Sequence, residues 1–103
     1  MLRSIKYLYH IVKERKTRYR SRSDIVATIL QSAAHYRQGI GLTKIMYISF
    51  LSYLQADKYM QALTENSLLS FDDGQRKYKI TAKGHQYLEL YRKMNDMLKD
   101  DGN

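Results

Sequence analysis

The stretch from Leu42 to Ile80 constrains the fold most, because it combines two closely spaced helix starts with a hairpin signal. Thr43 can N-cap a short helix over residues 44–49, since its hydroxyl can accept a hydrogen bond from a first-turn amide. Ser52, with a glutamine three residues later, forms the capping-box pattern that starts a second helix over residues 53–66. Three residues between the helices leave room only for a tight corner, which is helix-turn-helix spacing.

A β-hairpin is predicted directly after the second helix. Residues 68–71 and 76–80 are two short strand-like segments, and the Asp-Gly pair at Asp73 and Gly74 favours a turn between them. A hairpin at this position is the wing of a winged helix. The sequence therefore predicts a mainly α-helical fold with a small β-hairpin, a winged helix-turn-helix.

Two further helices flank this unit. Ser21 with Asp24 forms another capping box, which begins an amphipathic helix over residues 22–36, and Gly39 and Gly41 end it. After the hairpin, Thr81 can cap a last helix over residues 82–99. The helices over residues 44–49 and 53–66, with the corner between them, are expected to bury Ile45, Ile48, Leu51, Ala56, Tyr59, Met60 and Leu63.

The positive charge is concentrated at one end of the chain. Residues 1–22 hold eight Lys or Arg and one acid, net +7, whereas residues 23–103 hold ten against nine, net +1. A basic arm beside a near-neutral unit favours a polyanionic partner, nucleic acid first and an anionic membrane surface second. Residues 1–12 carry an apolar helical stripe, which either packs on the domain or orders on binding.

Three segments are expected from these patterns. Residues 1–20 form a basic amphipathic N-terminal extension, residues 21–81 a winged-helix DNA-binding domain, and residues 82–103 a C-terminal dimerisation helix with a frayed tail. The last helix carries apolar side chains on two adjoining stripes, and one contact with its own domain can cover only one of them. The expected dimer contacts are Tyr87, Tyr91, Met94 and Leu98.

The run from Ser21 to Tyr91 resembles the small archaeal winged-helix DNA-binding proteins of the Sulfolobus ten-kilodalton type. The most specific matching string is Tyr78-Lys79-Ile80-Thr81-Ala82-Lys83-Gly84, a strand followed by Thr-x-x-Gly at the start of a helix. The resemblance also covers Arg22-Ser23-Asp24-Ile25, Thr43-Lys44-Ile45-Met46-Tyr47 and Leu51-Ser52-Tyr53, with Tyr59, Leu63, Leu68 and Leu69. It implies a dimer joined by the C-terminal helix and binding of double-stranded DNA. The basic N-terminal extension is additional to the family pattern, and the C-terminal helix is shorter.

The helix that begins after Ser52 is expected to enter the major groove with its N-terminal half. Ser52 and neighbouring amides can bond phosphate, and Gln55 can bond adenine unless its side chain is used in the capping box. Candidate base contacts are Tyr53, Leu54, Gln55 and Lys58. Candidate phosphate contacts are Ser52, Lys44 and the arm residues Arg15, Lys16, Arg18, Arg20 and Arg22. The wing residues Gln75, Arg76 and Lys77 are expected along an adjacent groove or the DNA backbone.

Signals for catalysis are missing from the sequence. The chain has no cysteine, its three histidines are scattered, and it has neither a phosphate-cradling glycine loop nor a nucleophile motif. We expect no enzyme activity, cofactor, metal or membrane association, and a cytoplasmic location at the nucleoid. The leading hypothesis is a protein that binds double-stranded DNA as a transcriptional regulator or a nucleoid-associated protein. Two alternatives stay open. One is a winged helix that binds proteins, with its arm on another acidic partner, and the other is membrane-surface attachment through the N-terminal helix.

Overall fold

The computed structural model describes residues 20–99 of the 103-residue chain. The elements follow in the order α1 (Arg22–His35), α2 (Leu42–Ser49), α3 (Tyr53–Glu65), β1 (Leu69–Asp72), β2 (Lys77–Ile80) and α4 (Ala82–Lys99). This order confirms the predicted winged helix-turn-helix. The predicted helix over residues 1–12 and the arm residues Arg15, Lys16 and Arg18 lie outside the described residues.

Both predicted capping boxes are present. The Ser21 hydroxyl accepts a hydrogen bond from the Asp24 amide at 3.1 Å, and the Asp24 carboxylate accepts one from the Ser21 amide at 3.3 Å. At α3, the Ser52 hydroxyl accepts from the Gln55 amide at 3.2 Å and the Gln55 side-chain oxygen from the Ser52 amide at 2.9 Å. Each box satisfies two amides that the helix start would leave unpaired, so both helix starts are determined locally.

The predicted cap of α2 is wrong. The N-cap is Gly41, which has extended backbone angles, and Thr43 is already the second residue of the helix. Just before it, Ile40 exchanges two 2.9 Å backbone hydrogen bonds with Tyr78 of the hairpin. This bridge fixes the chain up to Gly41, so tertiary pairing decides where α2 begins.

The hairpin is confirmed, with its turn over residues 73–76 instead of the 72–75 that separate the predicted strands. β1 and β2 are antiparallel, with Leu69 opposite Ile80 and Asp72 opposite Lys77. Among the turn residues 73–76, Arg76 takes the left-handed conformation at φ 54°, and Gly74 does not. The Asp72 carboxylate accepts a hydrogen bond from the Gln75 amide at 3.2 Å, which closes the turn as Asx turns do.

One core joins all four helices and the hairpin. The residues predicted to point inward from α2 and α3 are buried, except that Tyr59 is only partly covered. α4 packs on α1 and the hairpin, so its first half belongs to the same core as the segment before it. The buried apolar side chains are Ala27, Ile29, Leu30, Ala33, Ile40, Ile45, Ile48, Leu51, Ala56, Met60, Leu63, Leu69, Leu88 and Tyr91.

The Thr-x-x-Gly string at the start of α4 has a clear structural role. The Thr81 hydroxyl donates to the Ser67 carbonyl at 2.6 Å and accepts from the Gly84 amide at 3.0 Å. A Cβ on Gly84 would lie 2.4 Å from the Leu68 carbonyl oxygen and 2.6 Å from Ile80 Cγ1. Gly84 is therefore required because the backbone of α4 passes directly against the end of the α3–β1 connection.

No helix within residues 20–99 is long and apolar enough to cross a lipid bilayer.

Candidate nucleic-acid interface

The corner between α2 and α3 fixes how α3 is presented. Leu51 is buried beneath the corner, as predicted, whereas Phe50 is about half exposed and takes the left-handed conformation at φ 57°. The guanidinium of Arg20 donates to the carbonyl of Ser49, the last residue of α2, at 2.5 Å. The residue that precedes the first capping box is thereby tied to the corner 29 positions further along the chain.

The outward face of α3 carries an exposed leucine between polar neighbours. Ala56, Met60 and Leu63 are buried on the inner face, and Lys58 and Gln61 are exposed on the other side. Leu54 lies one helical turn before Lys58 on that outward face and is 70% exposed. Tyr53, the first residue of α3, is 56% exposed beside it. The first two turns of α3 thus present apolar surface and one lysine.

The capping box limits what the predicted polar readers can do. The Gln55 side-chain oxygen accepts the Ser52 amide, so a two-bond contact with adenine requires this side chain to leave the capping box. The Ser52 hydroxyl accepts the Gln55 amide but keeps its own proton for donation. Ser52 therefore fits the expected phosphate contact, and Gln55 fits the expected base contact less well than Lys58.

Side chains from distant segments flank α3 on both sides. On one side, the guanidinium carbon of Arg22 lies 6.0 Å from the ring centroid of Tyr59. On the other side, the hairpin places the paired rings of Phe71 and Tyr78, with centroids 4.7 Å apart, against α3. The groove between α3 and the hairpin measures about 250 Å³ and is lined by Met60, Gln61, Thr64, Glu65, Phe71 and Tyr78. Burial raises the pKa of Tyr78, and the nearby Asp57 carboxylate adds to the effect.

The remaining predicted contacts fall into two groups. Gln75, Arg76 and Lys77 are exposed at the tip of the hairpin, and the Arg76 guanidinium carbon lies 5.9 Å from the Phe71 ring centroid. Lys44 is half-buried, with its ammonium nitrogen 4.5 Å from the ring centroid of Tyr36. The structure thus brings the wing cations and Lys58 to the surface, whereas Lys44 and Arg20 are engaged within the domain.

The four predicted dimer residues separate onto two faces of α4. Tyr91 is 5% exposed and its hydroxyl donates to the Asp24 carboxylate of α1. Tyr87 stacks on it with ring centroids 6.5 Å apart, and burial together with Asp24 raises the pKa of Tyr87. The two tyrosines therefore pack against their own domain. The exposed stripe consists of Leu90 (60%), Met94 (59%), Met97 (79%) and Leu98 (82%).

The sequence analysis did not single out two residues, one buried in the core and one exposed on α2. Leu88 of α4 is 1% exposed and belongs to the core, and its spacing from Gly84 and Tyr91 carries that signal. Tyr47 is 75% exposed on α2, on the side away from Ile45 and Ile48. Within residues 20–99, no cluster of three or more His, Cys, Asp or Glu side chains is suited to holding a metal ion.

Comparisons with known proteins agree with this architecture. The chain is similar to the crystal structure of Sso10a-2, a DNA-binding protein from Sulfolobus solfataricus, with 27% identity and a TM-score of 0.61 over 77% of this chain and 85% of that one. It also resembles in fold the crystal structure of MepR, a transcription regulator of the Staphylococcus aureus multidrug efflux pump MepA. That match has 14% identity and a TM-score of 0.63, over 92% of this chain and 70% of that one.

A search of proteins with curated functions found no match. The family model described as winged helix-turn-helix, however, matches residues 19–99, which span every described helix and both strands. With its capped α3, its corner at Leu51 and its hairpin directly after α3, the chain belongs to the winged helix-turn-helix family.

Proposed function

We propose that this chain binds double-stranded DNA and acts as a transcriptional regulator or a nucleoid-associated protein, in the cytoplasm at the nucleoid. The observation that carries the proposal is the surface of α3. Its exposed first two turns lie between Arg22 on one side and the cationic hairpin on the other. The likeness to Sso10a-2, a DNA-binding protein, supports the same conclusion.

The expected contacts divide by chemistry. Lys58, exposed on the outward face of α3, can reach a base edge in the major groove, where lysine bonds guanine. Ser52 and the first amides of α3 suit phosphate, because the positive end of the helix dipole lies there. Arg76 and Lys77 at the hairpin tip suit phosphates of the neighbouring backbone, which position a protein without reading sequence. The arm residues Arg15, Lys16 and Arg18 would add further phosphate contacts.

We further propose a homodimer formed through α4. Tyr91 is buried with its hydroxyl on Asp24 of α1, and Tyr87 is partly buried beside it. The pairing surface we favour is therefore the exposed stripe of Leu90, Met94, Met97 and Leu98. Burying one such large side chain contributes about 1.5–3 kcal/mol. α4 has 18 residues, about 27 Å at 1.5 Å per residue, and the exposed stripe covers its second half, a little more than one heptad. Two-fold pairing would let two α3 helices contact successive major-groove faces about 34 Å apart.

The DNA-binding proposal is tested by titrating a fluorescent duplex across a range of salt concentrations. The logarithm of the association constant should fall linearly with the logarithm of salt, by about 0.9 per phosphate contact. Arg76→Ala with Lys77→Ala should weaken binding to all duplexes about equally and flatten the slope by about one to two units for each bound protomer. Lys93→Ala on exposed α4 is the control, and it should leave the slope unchanged. Binding without salt dependence, or no binding, would contradict the proposal and favour a protein-interaction module.

The dimer proposal is tested with Met94→Glu combined with Leu98→Glu, followed by light scattering and circular dichroism. The expected product is a folded monomer with much weaker DNA binding, because the two glutamates charge the exposed stripe. His85→Glu with Arg92→Gln is the matched control, since it changes the net charge by the same amount at exposed polar positions of α4. A wild-type chain that is monomeric at tens of micromolar would refute the dimer.

A further inference from the structure

We propose that α3 recognises the C5-methyl groups of thymine, so that this chain prefers duplexes whose major groove displays thymine methyls. The inference rests on the proposed DNA binding and identifies what α3 reads there. It starts from the side chains that the fold leaves available on the first two turns of α3, where a major-groove helix touches base edges.

Leu54 occupies the position best placed for such reading. It is 70% exposed, it is the second residue of α3, and it lies on the face opposite the buried Ala56, Met60 and Leu63. A leucine has neither donor nor acceptor, so the one base-edge group that it can favour in the major groove is the thymine methyl.

Three polar side chains near Leu54 each make a hydrogen bond within α3 or its cap. Ser52 and Gln55 bond each other in the capping box, and the Asp57 carboxylate accepts the Gln61 side-chain amide at 3.0 Å. Tyr53, 56% exposed beside Leu54, enlarges the apolar surface. Apolar contact by Leu54 would therefore add to the hydrogen bond that Lys58 can make to a base edge.

The charges around this apolar surface identify its occupant. Lys58 lies one turn after Leu54, Arg22 flanks α3 on one side, and Arg76 and Lys77 are exposed at the tip of the hairpin on the other side. Cations on both sides of an exposed leucine suit a polyanion that presents methyl groups between its phosphates. Thymine-bearing duplex DNA meets both requirements.

The experiment compares two duplexes of about 20 base pairs that differ in one chemical group. One carries an alternating adenine–thymine centre, and the other has deoxyuridine in place of every thymine, which removes the methyls and keeps the base pairing. The full-length chain should bind the thymine duplex about fourfold more tightly for each methyl buried, equivalent to about 0.8 kcal/mol.

Leu54→Ala should reduce this thymine-to-uracil ratio towards one, and Leu54→Met, which keeps an apolar side chain of similar volume, should retain most of it. Lys58→Ala is the control, because a lysine bonded to phosphate or guanine does not sense the methyl and should weaken both duplexes equally. Circular dichroism checks that the variants at exposed Leu54 remain folded. The pairing of protein and DNA changes isolates this one contact from general effects of deoxyuridine on the duplex.

Equal wild-type affinity for the two duplexes would overturn the inference, as would a ratio that Leu54→Ala leaves unchanged. Either result, obtained with salt-dependent binding intact, leaves the proposed DNA binding standing. Failure to bind either duplex would instead overturn the proposed function.

Discussion

Replacing Gly84 by alanine tests the packing of α4 against the rest of the domain. In an open helix position, alanine would stabilise by about 1 kcal/mol relative to glycine. Here the added Cβ would lie 2.4 Å from the Leu68 carbonyl oxygen and 2.6 Å from Ile80 Cγ1. Those distances are far inside van der Waals contact, and one neighbour is backbone, so α4 must move away from the hairpin. Overpacking of this kind costs about 1–3 kcal/mol, occasionally more.

The displacement also weakens the Thr81 hydrogen bonds to Ser67 and Gly84, which hold the start of α4 in place. We therefore expect a net loss of about 2 kcal/mol in the free energy of unfolding, or roughly 8–16 °C in Tm for a domain of this size. The assay is urea unfolding followed by far-ultraviolet circular dichroism at fixed protein concentration, because dimerisation would make stability concentration-dependent.

Gly74→Ala is the matched control. Its Cβ would approach only the Asp72 carboxylate, at 3.4 Å, and Gly74 is not in the left-handed region. It should change stability by no more than about 0.5 kcal/mol. A Gly84→Ala midpoint equal to or above that of the wild type would refute the close-approach argument.

Three further predictions concern the described domain. Tyr36→Phe should be neutral or stabilising by up to about 1 kcal/mol in urea unfolding, because the buried Tyr36 hydroxyl has no hydrogen-bond partner among residues 20–99; a loss above 1 kcal/mol would mean that the hydroxyl is paired. Gly41→Asn should raise the free energy of unfolding by a few tenths of a kcal/mol, because α2 has no side-chain cap and a Cβ at Gly41 meets open space; no gain would show that asparagine does not cap there. Burial raises the pKa of Tyr36, Tyr78 and Tyr87 above the unfolded value of about 10, so the folded state holds these protons more tightly. This contribution to the free energy of unfolding is fully present below pH 10 and is lost as pH rises through the folded pKa values. A free energy of unfolding that stays constant up to pH 11.5 would contradict this reasoning. Tyr87→Phe should make the decrease in the free energy of unfolding at high pH smaller.

The local sequence determined the elements that depend on hydrogen bonds within three or four residues. Ser21 with Asp24 and Ser52 with Gln55 start α1 and α3 at the predicted residues, because each capping box is complete within one helical turn. The 3.6-residue spacing of apolar side chains likewise indicated which face of α3 is buried. The starts of α1 and α3 and the exposed positions of Leu54 and Lys58 follow from those two signals.

Tertiary structure decided the features that depend on residues far apart in the chain. The Ile40–Tyr78 bridge, and not Thr43, sets the start of α2, and the contact with α1 places Tyr91 inside the domain, where its hydroxyl meets Asp24 across 67 positions. The tie from Arg20 to the corner and the placement of Arg22 beside α3 arise in the same way. The spacing of apolar side chains shows which face of a helix is apolar but not what covers that face, because contact with the same domain or with a second chain can bury it. Only the packed structure distinguishes the stripe of α4 that α1 covers from the one left exposed.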